Sequence, residues 1–154
     1  DMAVGDLNKD GWTDLVVARK QPFTTGGKRP NMLLMNENGK LVDRTLQYAS
    51  TSDVPADLGL AQPTNNRDVI AVDVNQDGWL DVVTSPVISG GTDPKAINHP
   101  RVYRNLGNDA QGNWLGLKFE NVRIPQLFVG SNPAASNGCS ILGGDVSGDG
   151  FPEL

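Results

Sequence analysis

Three stretches of this sequence set oxygen-bearing side chains at alternate positions, follow them with a glycine, and close with one more carboxylate. They are Asp6-Leu7-Asn8-Lys9-Asp10-Gly11-Trp12-Thr13-Asp14, Asp73-Val74-Asn75-Gln76-Asp77-Gly78-Trp79-Leu80-Asp81 and Asp145-Val146-Ser147-Gly148-Asp149-Gly150-Phe151-Pro152-Glu153. Such a row suits a hard cation. Calcium takes about six to eight oxygen ligands at roughly 2.3–2.6 Å, and a short loop supplies them when alternate side chains turn inward and one backbone carbonyl joins them. Glycine at the sixth position permits the sharp turn that closes the loop. The expected ligands are Asp6, Asn8, Asp10, the Trp12 carbonyl and Asp14 in the first loop, and Asp73, Asn75, Asp77, the Trp79 carbonyl and Asp81 in the second. In the third they are Asp145, Ser147, Asp149, the Phe151 carbonyl and Glu153.

Agreement between the copies extends past the ligands. The second position is apolar in each (Leu7, Val74, Val146), the seventh aromatic (Trp12, Trp79, Phe151) and the tenth apolar (Leu15, Val82, Leu154). Cation binding requires none of these, so the copies share a packed scaffold as well as a site.

The elements that must hold such loops are strands. Met2 to Gly5 leads into the first loop, and Asp14-Leu15-Val16-Val17-Ala18 leaves it rich in β-branched residues, which favour pleated structure. An EF-hand would place a bidentate Glu at loop position 12 and flank the loop with helices; that position holds Val17 and Thr84 in the first two copies. Related loops of dockerin-like modules are disfavoured by the same missing helices. Further along, Asn31 to Asn36 reads as a third strand, Glu37-Asn38-Gly39 as a tight hairpin turn, and Lys40 to Thr45 as a fourth strand. The second unit repeats this order with Val69 to Val72, Asp81 to Thr84, Arg101 to Asn105, a longer turn from Asn108 to Trp114, and Leu117 to Val122. A third begins with Ser140 to Gly144.

The loops start 67 and 72 residues apart, one four-stranded antiparallel sheet plus a connector. Repeats of one sheet each point to an all-β fold of β-propeller blades, in which each blade covers its neighbour's apolar face. The expected organisation is a blade at 1–45 with its first strand truncated, a connector at 46–68, a blade at 69–122, a connector at 123–139, and the start of a third blade at 140–154. Two blades and a beginning do not close a ring, so the chain reads as part of a larger propeller, with further blades of the same protein as its neighbours.

Composition agrees. The chain has 154 residues, 18 acidic against 13 basic side chains and a formal charge of −5, and nine of the acids are proposed ligands. The acidity is therefore local to the loops and signals neither a basic partner nor an acidic tail. In an empty loop, one pair of like charges at 5 Å costs about 3 kcal/mol at an effective dielectric of 20. No apolar run approaches the roughly 18 residues that cross a bilayer, the N-terminus lacks a signal-peptide pattern, and no basic stripe suggests nucleic acid. Cys139 is the one cysteine and reads as a small apolar strand residue rather than a reactive thiol.

The strand, D-x-[DN]-x-D-G-x-x-D loop and Leu/Val-rich strand, followed by N-x-L-x-x-N in Asn31 to Asn36, resemble the FG-GAP/VCBS repeats of integrin α-subunit propellers and many secreted bacterial proteins. Val42 to Thr45, Val102 to Gly107 and Phe119 to Val122 carry the rest of the likeness. The resemblance implies a calcium-binding propeller with its loops near one rim, and a role in adhesion or in recognition of a protein or glycan. The Phe-Gly and Gly-Ala-Pro signatures that name the family are not intact. Ser147 and Glu153 depart from the usual Asn and Asp, so two complete calcium sites and a weaker third are expected.

Other chemistries fit less well. A glycosidase needs two carboxyl groups about 5–10 Å apart, but the acids here are better explained as metal ligands. His99 lies between Asn98 and Pro100 and reads as a solvated loop residue. No nucleophile elbow is present, and Gly26-Gly27-Lys28-Arg29 lacks the rest of a phosphate loop. Trp12 and Trp79 share a loop slot and read as packing residues; Trp114, in the long turn, is the better candidate for an exposed aromatic contact. The expected function is a non-catalytic binding module. The alternative is the accessory propeller of an extracellular polysaccharide lyase or hydrolase. Calcium modules with affinity near 10⁻⁴–10⁻³ M fill only where calcium is millimolar, which points to an extracellular, periplasmic or cell-surface setting.

Overall fold

A computed structural model describes residues 1–21, 27–87, 94–134 and 140–153. Expectations for Gly26, Cys139 and Leu154 lie outside these residues. The first unit is a four-stranded antiparallel sheet of β1 (Met2–Gly5), β2 (Asp14–Val17), β3 (Met32–Glu37) and β4 (Lys40–Asp43), in that order. Its register follows the sequence pattern: Ala3, Val16 and Leu33 fall on one face, and Met2, Val17 and Met32 on the other. Only the first face is covered. Val16, Leu33 and Met35 are buried, whereas Met2 and Val4 remain 63% and 64% exposed.

The second sheet explains that asymmetry. Its β6 (Asn66–Val72), β7 (Asp81–Pro86), β8 (Arg101–Asn105) and β9 (Leu117–Phe119) repeat the antiparallel order, and β7 is buried at all of its residues. Val16, Leu33 and Met35 pack in one cluster with Val69, Val82, Tyr103 and Phe119. The blades approach closely: a Cβ on Gly5 would meet Leu80 Cδ1 at 2.7 Å. This is the all-β blade-on-blade arrangement expected of a propeller, in which a sheet gains stability by lending its apolar face to the next.

Several segments depart from expectation. The fourth strands are shorter: β4 stops at Asp43, whose carboxylate accepts both the N–H and the hydroxyl of Thr45, and the chain turns into α1 (Thr45–Tyr48). In the second unit β9 gives way at Phe119 to a 3-10 turn, Asn121–Arg123. The 46–68 segment is more than a connector. It contributes β5 (Thr51–Ser52), which joins the second sheet in parallel beside β9 and makes it five-stranded, and it ends in the first residues of β6. Between them, Arg101 fixes the segment from below. This fully buried guanidinium bonds both Asp57 oxygens, the carbonyls of Gly59 and Ala96 and, as donor, the Tyr103 hydroxyl, and it lies over the Phe119 ring. Before β8 the chain makes a single helical turn, α2 (Lys95–Asn98).

The 123–139 connector holds a hairpin, β10 (Leu127–Val129) with β11 (Asn132–Ala134). Ser140 to Gly144 does not form the expected strand. Among the described residues Gly144 alone pairs there, in an isolated bridge to Glu153. Asp68 holds the start of this unit: one of its carboxylate oxygens accepts from the Ser140 hydroxyl and the Ile141 N–H.

Candidate metal centres

Each loop is a bend built on its own carboxylates. In the first, Asp6 accepts the N–H groups of Asp10 at 3.1 Å and Gly11 at 2.9 Å, and Asp10 accepts that of Trp12 at 2.8 Å. The second repeats this: Asp73 accepts from Asp77 at 3.2 Å and Gly78 at 2.7 Å, and Asp77 from Trp79 at 2.9 Å. In the third, Asp145 accepts from Asp149 at 3.1 Å and Gly150 at 2.8 Å, and Asp149 from Phe151 at 2.9 Å. Asn8 and Asn75 each direct their amide N–H to the loop's middle aspartate at 2.9 Å.

The backbone is left-handed at two places in each loop. The sixth position is Gly11, Gly78 or Gly150, at φ of 90°, 85° and 92°; the fourth is Lys9, Gln76 or Gly148, at 58°, 58° and 77°. Side chains with a Cβ resist that region, so the third copy's glycine is the unstrained version of a bend that Lys9 and Gln76 adopt against their preference.

The closing carboxylates sit beneath the loops. Asp14 and Asp81 are fully buried. Asp14 accepts the N–H of Leu7 at 3.0 Å and of Asn36 at 2.9 Å; Asp81 accepts those of Val74 at 3.0 Å and Asn105 at 2.7 Å. Burial pushes the Asp81 carboxyl up to about 6, and the charges of Asp77 and Asp73 push in the same direction against its hydrogen bonds. Asp14 is raised for the same leading reason, with Asp10 and Asp6 adding to it. Glu153 is exposed and its carboxyl is lowered, chiefly by the Val146 N–H at 2.7 Å.

The donor set is all oxygen, which suits calcium rather than a soft metal. Carboxylates disfavoured as anions by burial and by one another are the groups a divalent cation relieves. Asp145, Asp149 and Glu153 place one oxygen each within 4.8 Å of the others, and they are the one such acidic trio among the described residues. The departures Ser147 and Glu153 therefore do not prevent the third loop from gathering its acids most closely of the three.

Neighbouring loops touch. The Lys9 ammonium lies 4.2 Å from the centre of the Trp79 ring, and a Cβ on Gly150 would meet the Gln76 amide at 3.0 Å. Trp79 is thus a packing residue; Trp12, in the equivalent slot, is 43% exposed.

Two expectations outside the loops are corrected. His99 is buried, not solvated, with Nε2 2.9 Å from the Ala134 carbonyl, because the β10–β11 hairpin covers it. Trp114 is no free aromatic contact. Its indole N–H donates to Asn105 Oδ1 at 2.8 Å, its ring meets Tyr48 at 5.1 Å, and it packs against the core.

Asn105 is the functional residue that spacing alone does not reveal. Besides its N–H on Asp81, its amide donates to the carbonyls of Leu7 at 2.8 Å and Leu80 at 3.0 Å, and its Oδ1 also accepts from Gly107 N–H at 3.0 Å. Asn36 does the same locally, to Asp14 and the Thr13 carbonyl. The asparagine at the end of the third strand is therefore the clamp that seats the closing acid of the first and second loops, and its recurrence at Asn36 and Asn105 is the signal in the sequence.

A family model described as FG-GAP-like repeat matches residues 6–84, just over half of the chain. No curated protein and no solved structure gives a significant match.

Proposed function

The chain belongs to the FG-GAP-like repeat family, and on that premise we propose that its three acidic loops bind calcium and that the blades they brace form a non-catalytic recognition surface. The observation that carries the reading is the gathering of three carboxylates at the third loop, Asp145, Asp149 and Glu153, on a bend whose hydrogen bonds the first two loops repeat. Asp6, Asn8, Asp10, the Trp12 carbonyl and Asp14 hold the first ion; the matching residues hold the others. Calcium in these loops supplies charge compensation, while the protein's residues fix the bend and seat its closing acid through Asn36 and Asn105.

The recognised ligand is a protein or a glycan, and the setting is outside the cytosol, where calcium is abundant enough to fill modest sites. No helix among the described residues is long and apolar enough to cross a membrane. The single histidine is tied to a backbone carbonyl away from the acidic loops, which fits a module that binds and does no chemistry.

Calorimetric titration with calcium tests the reading, alongside melting with and without chelator. Uptake of two or three ions and a higher melting temperature in calcium are expected, since a ligand that binds only the folded state stabilises it. No heat of binding, with melting indifferent to chelator, would refute it.

A further inference from the structure

At the end of the first sheet away from its acidic loop lies a cavity of about 530 Å³. β2 leaves the loop at Asp14 and the chain reaches Arg19 at the far end, beside Asn31 at the entry to β3. α1 and the 3-10 turn Gly59–Ala61 supply the remaining walls. Most of the lining is apolar, from Met32, Leu46, Leu58 and Ala61, and Leu46 and Leu58 are 74% and 49% exposed. Small-molecule sites of roughly 300–1,000 Å³ combine such a lining with a few placed polar groups.

Two polar groups in this wall have no partner. Asn31 is 1% exposed. Its Oδ1 accepts the Arg19 N–H at 2.9 Å, which orients the amide and leaves Nδ2 without an acceptor. The Arg19 guanidinium is half-buried, and no acid or carbonyl among the described residues pairs with it. Both conditions are unfavourable, because a donor or a charge withdrawn from water needs a partner. The other two charges in the wall are engaged: Arg44 bonds Glu37 at 2.6 Å, and Asp43 accepts the N–H and hydroxyl of Thr45. Blade packing requires neither free group. Arg19 stands five residues after Asp14 and Asn31 five before Asn36, and the same steps from Asp81 and Asn105 reach Pro86 and Pro100. The second sheet therefore forms with proline at both places.

We propose that this cavity binds a small aliphatic carboxylate, whose head group is held by the Asn31 amide and the Arg19 guanidinium while its tail lies along Met32, Leu46 and Leu58. A carboxylate offers acceptors to both donors and offsets the one unpaired charge in the wall; a hydroxyl or an ammonium does not do both. The site goes beyond the recognition surface proposed above. It is remote from Asp14 and independent of calcium in the loops.

Octanoate is the probe, with octanol and octylamine as neutral and cationic controls. Each is titrated into the whole chain and followed by NMR of the Asn31 side-chain amide and the Arg19 Nε–H. Octanoate is expected to shift both signals saturably, and both controls to bind at least about tenfold more weakly, as loss of a charge-assisted hydrogen bond implies. Arg19→Met keeps the stem and removes a charge that has no partner. It is expected to weaken octanoate at least about tenfold and to leave the melting temperature of the free chain unchanged. Octanoate that does not saturate, or that saturates without moving the Asn31 and Arg19 signals, overturns the proposal. So does equal affinity for either control, or undiminished octanoate binding by Arg19→Met. The head-group comparison is made on the native chain and decides alone if the variant does not fold.

Discussion

The side-chain amide of Asn105 donates to the carbonyl of Leu7 at 2.8 Å, across 98 residues of sequence, and so ties the second sheet to the first loop. The same side chain satisfies Leu80, Gly107 and Trp114. Asn105→Ala strands these buried groups and is expected to cost about 2–4 kcal/mol, since each unsatisfied buried group costs about 1–3 kcal/mol and some relaxation is available. Asn36→Ala, in a more exposed setting, is expected to cost under about 1.5 kcal/mol. Denaturant unfolding of the two variants checks the order.

Asp81 gives the chelated protein a pH dependence of defined sign. Its carboxyl titrates at about 6 against an ordinary 3.8, so between those values the folded state holds more protons than the unfolded one. Asp81 therefore makes stability fall as pH rises through that window. Urea unfolding of the chelated chain and of Asp81→Asn at pH 5 and pH 7 isolates the effect: the native chain is expected to lose more stability than the variant on going to pH 7. In calcium, binding should release a proton near pH 6, visible as buffer-dependent heat.

The loop bend predicts a tolerance and an intolerance at one position. Gln76 holds φ at 58° where the third copy has Gly148. Gln76→Gly relieves the backbone but frees the unfolded chain, so stability should change by under about 0.5 kcal/mol, whereas Gln76→Val, β-branched in a left-handed bend, should lose about 1–2 kcal/mol. Thermal melts of both variants in chelator measure this.

The Arg101–Asp57 pair is almost wholly withdrawn from water, with the closest atoms 2.8 Å apart. Arg101→Met would leave Asp57 as an uncompensated buried charge and is expected to cost about 3–5 kcal/mol. Arg101→Lys should recover little, because one ammonium cannot replace the fork that bonds Asp57, Gly59, Ala96 and Tyr103. Guanidinium unfolding of the pair checks both.

The loops and inner strands were legible because their signals are local. Alternating oxygens and a glycine fix the bend, and β-branched runs such as Leu15-Val16-Val17 fix the flanking strands. What escaped depended on distant partners. Thr51-Ser52 is two residues long and polar, with no periodicity to mark it, and becomes a strand only because β9 offers an edge. His99 looked solvated beside Asn98 and Pro100 until a hairpin from beyond residue 123 closed over it, and Trp114 looked free until Tyr48 and Asn105 met it. A buried Arg101 is invisible in sequence because its compensation comes from Asp57, 44 residues away.

The parallel pairing of Thr51–Ser52 with Lys118–Phe119 means that the duplicated stretch of sequence and the independently swappable piece of the molecule are different intervals. A graft or chimaera joined at Asp68, where the sequence motif begins again, would separate the second sheet from its own outer strand and from the aspartate that neutralises its arginine. A junction just before Thr51 would carry both along. The first repeat of this chain therefore supplies an edge that belongs, in space, to the second.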